Sequence, residues 1–152
     1  MIIPQNLRAQ LSGNNMNFAL LSSAGLSIQL HSIFALLAFT LGAFLLFNKK
    51  GTDTHKILGK IWSVAILLIC LTSFWIKEIM PNSFFLGYSP IHLLSIFAII
   101  QIIRGIYFAK IGNISKHKNI MISTYFGGLI LAGAFAFYPD RLLYKIFIEV
   151  SL

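Results

Sequence analysis

The chain has 152 residues, 57% of them hydrophobic and 11% charged, with a mean hydropathy of +0.82 and a net charge of +8. A soluble domain carries about 25% charged residues, so this chain cannot cover a water-facing surface, and a soluble globular enzyme is excluded. The positive excess would suggest nucleic acid in a soluble protein. Here it sits at the ends of apolar runs, which excludes nucleic acid and leaves membrane lipids as the first partner.

In chain order, residues 1–22 form an outer N-terminal segment with Ser12, Gly13, Asn14 and Asn15 as its loop. Helix one is expected over 23–47, since the whole run from Ala24 to Phe47 holds no charge. Asn48 to Thr54 is a tight polar turn, and helix two follows over 55–79 with Trp62 and Trp75 as interfacial anchors. Met80 and Pro81 break it, and Phe84, Phe85 and Tyr88 form an aromatic stretch at headgroup level. Ser89 and Pro90, a capping residue followed by proline at the first helical position, start helix three over 90–110. Gly112 and Asn113 turn the chain into helix four, 116–138, which Pro139 ends. Residues 139–152 form an outer amphipathic tail. Each run reaches the ~20-residue span of a bilayer with its flanks. The fold class is therefore all-α: an integral membrane four-helix bundle built from two parallel two-helix repeats, occupying 23–138.

Lysines 49, 50, 56 and 60 cluster at the first turn, and Lys110, Lys116 and Lys118 at the third. The other side carries Arg8, Lys77, Arg141 and Lys145, partly balanced by Glu78, Asp140 and Glu149. The positive-inside rule then puts both basic turns in the cytoplasm and both termini outside. The expected location is a bacterial inner (cytoplasmic) membrane, or the inner membrane of an organelle. Small residues at four-residue spacing predict packing seams: Ala38 and Gly42, Gly59 and Ser63, and Gly128, Ala132 and Ala136. Cys70, the lone cysteine, is expected as an apolar filler.

The stretch His55, Lys56, Gly59, Lys60 is similar to the His-Arg-x-x-Gly-Arg signature of a family of bacterial membrane proteins known as domain of unknown function 2306. Gly87 to His92, the pair His117 and Lys118, and Pro139 to Arg141 also resemble family positions. Lysine stands where the family often has arginine, which weakens any role needing a bidentate guanidinium. The resemblance spans about His31 to Arg141 and implies a fold without an activity.

The chain's four histidines fall at matching places in the two halves. His31 precedes Lys49 by the same interval that separates His92 from Lys110. His55 and His117 each follow a basic turn and precede a lysine. In an up-down bundle, helices one and three face each other across a diagonal, as do two and four. His31/His92 then pair at the outer end and His55/His117 at the inner end, as axial ligands of haem b or as ligands of another metal. Such pairing is similar to that of the cytochrome b561 class of electron carriers. Lys56, Lys118 and Arg104 would meet haem propionates. Against this, His55, His92 and His117 lie in or near first turns, at headgroup depth, where an interfacial histidine beside lysine often only bonds backbone or lipid. Arg104 is open between an anionic partner and a guanidinium that merely snorkels to the inner interface.

No acid lies mid-membrane, against a proton-coupled transporter. No nucleophile-base pair, glycine-rich phosphate loop or set of paired carboxylates points to a hydrolase or transferase, and no independent catalytic activity is expected. Two functions stay open: a small bis-histidine haem electron-transfer or quinol-handling protein, and a non-catalytic accessory or assembly subunit of a larger respiratory-type complex. Both imply other membrane protein subunits as partners.

Overall fold

The computed structural model describes residues 20–76, 90–139 and 141–147. Outside them fall most of the N-terminal segment, the expected end of helix two at Ile79, the Met80–Pro81 break, and the aromatic stretch with Ser89. Asp140 and the last tail residues fall outside as well. The described residues form helices and no strand: α1 Leu26–Phe47, α2 Asp53–Ser73, α3 Pro90–Lys110 and α4 Ile114–Ser123. A π-helical segment, Thr124–Ile130, continues α4 into α5, Leu131–Ala136, and α6 spans Leu142–Phe147. Four helices are long and apolar enough to cross a membrane, the fourth running unbroken from Ile114 to Ala136.

Lipid-facing surface explains the exposure of Leu36, Phe39, Val64, Ile103 and Phe135. The buried core is instead mostly small or polar-tipped, Ala38, Trp62, Ala65, Cys70, Ala98 and Tyr125, with Ile66 and Ile102 the two bulky aliphatic members. That inversion is expected where lipid tails are as apolar as leucine and close backbone approach supplies the packing. α1 packs on α2, α2 on α3 and α3 on α4, while the π-helical segment returns against α1, so the four spans close a ring.

Both basic turns are built alike. Gly51 (φ 79°) and Gly112 (φ 75°) hold the left-handed conformation that reverses the chain. The next residue caps the following helix: Thr52 accepts from the His55 N–H and Asn113 from the Lys116 N–H, each at 3.1 Å. These caps start α2 at Asp53 and α4 at Ile114, two residues before the positions the apolar pattern suggested. Lys50 Nζ donates to the carbonyls of Leu45, Leu46 and Asn48 and so satisfies the end of α1.

Two expectations change. Trp62 is no interfacial anchor: it is 3% exposed and its indole N–H donates to the Ala38 carbonyl, whereas Trp75 is exposed. Gly59 is no seam residue either, since a Cβ there would meet nothing within 4 Å. Gly42 does pack as a seam, with Trp62 and the Tyr125 ring filling the space a side chain would take.

Candidate functional site

His31 is the sixth residue of α1, and its Nδ1 lies 3.1 Å from the Thr72 hydroxyl. That hydroxyl proton is committed to the Leu68 carbonyl at 2.8 Å, so Thr72 Oγ1 accepts and His31 Nδ1 donates. His92, buried in the first turn of α3, donates from Nε2 to the Ser73 carbonyl at 3.2 Å and packs on the Phe74 ring. The outer histidines thus meet consecutive residues in the last turn of α2. There His31 donates to a hydroxyl, and His92 adds a second donor to the Ser73 carbonyl, which also accepts from the Ile76 N–H. Ser95 adds a 2.8 Å bond to Ser73 at the same place.

The inner pair is arranged differently. His117 Nδ1 donates to the Gly105 carbonyl of α3 at 2.9 Å, which puts its ring proton on Nδ1 and its lone pair on Nε2. A histidine held this way has the orientation and tautomer of a metal ligand, whose other ring N–H is normally given to a carbonyl or carboxylate. His55 Nδ1 is buried and has no hydrogen-bond partner among the described residues. Lys50 and His117 are both within electrostatic reach of His55. A cavity of about 220 Å³ opens beside it, lined by Asn48, Lys49, Thr52 and Thr54 with Phe44 and Leu45. Buried polar nitrogens rarely go unpaired, because an unmade bond costs about 1–3 kcal/mol. At the inner end one imidazole, His117, is oriented by a carbonyl, and another, His55, has an unpaired ring nitrogen beside a cavity lined by the end of α1, the first turn and the start of α2.

The remaining candidates make contacts of their own. Lys56 pairs with Asp53 at 3.1 Å on the exposed side of α2, and Lys118 is exposed beside His117. Arg104, exposed on α3, donates from Nη1 to Gln101 Oε1 at 2.9 Å. No group of three or more His, Cys, Asp or Glu side chains able to hold a metal occurs among the described residues. Thr72, Ser73 and Gln101 carry no signal in the sequence, since isolated polar residues are common in helix contacts and only the fold shows what each one bonds.

A family model described as "Predicted membrane protein (DUF2306)" matches residues 28–148. No curated protein and no solved structure matches the chain.

Proposed function

The chain belongs to the DUF2306 family of predicted membrane proteins, and from that premise we propose that it binds haem b through His55 and His117. In this reading it acts as a small electron-transfer or quinol-handling protein within a membrane complex. The observation that carries the reading is the bond from His117 Nδ1 to the Gly105 carbonyl, which leaves Nε2 to offer a lone pair, together with the His55 Nδ1 that has no partner among the described residues. A bound haem would supply one-electron redox chemistry. The chain would supply two imidazole nitrogens, with Lys56 and Lys118 as partners for carboxylates at the basic end. In this reading the electrons pass to and from neighbouring subunits.

The outer pair favours a second reading. His31 and His92 are already hydrogen-bonded to α2, which suits a non-catalytic accessory or assembly subunit whose histidines stitch helices together. The discriminating measurement is a dithionite-reduced minus oxidised spectrum of the detergent-purified protein. The haem reading expects a sharp band that His117→Ala and His55→Ala abolish and His31→Ala leaves in place. A folded protein without a band sinks the haem reading and leaves the accessory subunit.

A further inference from the structure

Arg104 is the one charge inside the third apolar run, and the structure holds it away from the inner interface. Its Nη1 donates to Gln101 Oε1, one turn back toward the outer end of α3. Gln101, buried at 7% exposure, donates from Nε2 to the Ser123 hydroxyl at 3.2 Å, and Ser123 donates to the Ile120 carbonyl at 2.9 Å. Gln101 lies nine residues before the end of α3 at Lys110, and Ser123 nine after the start of α4 at Ile114. Both helices therefore place the network about 13.5 Å from their inner ends, close to the middle of a ~30 Å hydrocarbon core. A guanidinium there is expensive without an anion.

Among the described residues nothing provides the anion: Asp53 is the one acid there, and it pairs with Lys56 at the start of α2. In the sequence Glu78, Asp140 and Glu149 come at least five, four and thirteen residues after Ser73 and Ala136, where the second and fourth spans end, so an acid at mid-span is left for a partner to supply. A lipid phosphate sits at the headgroup level, half a hydrocarbon core away, and would have to leave water to reach the group. Around Arg104 the α3 surface is apolar and exposed at Phe97, Ile100, Ile103 and Tyr107, a stripe of helix-packing width.

We propose that this face of α3 docks a transmembrane helix of a partner subunit that carries a single Asp or Glu at the depth of Gln101. Gln101 and Ser123 act as positioning residues: the bond to Gln101 keeps the exposed guanidinium at this depth, and its other N–H groups are left to take a carboxylate. The proposal does not depend on whether His55 and His117 hold a cofactor.

The test uses the whole protein, labelled for energy transfer, in phosphatidylcholine vesicles. The probes are two leucine-alanine transmembrane peptides that differ only in Glu or Gln at the matching depth. The Glu peptide is expected to associate about tenfold more tightly than the Gln peptide. Arg104→Gln removes that preference, Arg104→Lys keeps part of it, and Gln101→Leu reduces it while leaving the charge in place. Equal association of the two peptides with the wild-type protein overturns the proposal, and so does a preference that survives Arg104→Gln. Loss of the Glu preference when a fifth of the lipid is phosphatidylglycerol, restored by removing that lipid, assigns the guanidinium to lipid phosphate and also overturns it.

Discussion

Trp62 donates its indole N–H to the carbonyl oxygen of Ala38, 2.9 Å away across the α1–α2 contact. The next carbonyl, that of Phe39, accepts the Tyr125 hydroxyl at 3.2 Å from the other side of the ring. Two aromatic side chains from different spans thus grip adjacent peptides of α1 at mid-span. Trp62→Phe keeps most of the apolar area and removes the donor, and the Ala38 oxygen keeps its own helical bond. The expected cost is about 1–2 kcal/mol, read as an earlier midpoint when the protein is unfolded from mixed micelles with sodium dodecyl sulfate.

Gly42 permits that grip. A Cβ on it would press on the Tyr125 ring and lie 2.7 Å from Trp62 Nε1. Gly42→Ala should destabilise by about 1–3 kcal/mol through overpacking. Gly59→Ala, where nothing lies within 4 Å, should be neutral or slightly stabilising through helix propensity. The same unfolding series measures both, and equal effects would refute the assignment of the seam.

The His31–Thr72 bond ties α1 to the last turn of α2. His31→Leu and Thr72→Val should each destabilise, and the double variant should lose less than the sum. The coupling expected for an interhelical hydrogen bond in a membrane is about 0.6–1.7 kcal/mol. A coupling of zero would mean that the two side chains do not bond in the bilayer.

The positive-inside rule predicts both basic turns on the cytoplasmic side. With the buried Cys70 replaced by serine, Thr52→Cys and Ser115→Cys should both be blocked by a membrane-impermeant thiol reagent in inverted vesicles and spared in intact cells. Labelling of one turn in each preparation would rule out a bundle with both turns on one side.

The spans were legible because a bilayer demands long uncharged runs and the chain has little else. Their first turns were less so: Thr52 and Asn113 bond forward to the backbone N–H groups of His55 and Lys116 in a way that hydropathy does not register. Trp62 was misplaced for a similar reason. Its distance from the start of α2 matches an anchor only loosely, and its partner Ala38 lies 24 residues away. The π-helical stretch left no mark in composition, since the segment Thr124–Ile130 is ordinary membrane-helix sequence. It shifts the face of the fourth span, so that Gly128 meets Ala98 while Ala132 and Ala136 are half-buried.

Sequence alone determined that the protein lives in a membrane, how many times it can cross, and that its histidines and lysines gather at helix ends. Those properties follow from hydration energies that act residue by residue. Tertiary structure decided what each polar group does. His92 and His117 differ little as sequence, and each donates one ring nitrogen to a backbone carbonyl of the neighbouring helix, His92 to Ser73 at the end of α2 and His117 to Gly105 within α3. Arg104 could have reached the interface, and Gln101 holds it at mid-span instead. Hydrogen bonds in a low-dielectric interior are strong, short-ranged and directional, so their outcome depends on which helix stands beside which.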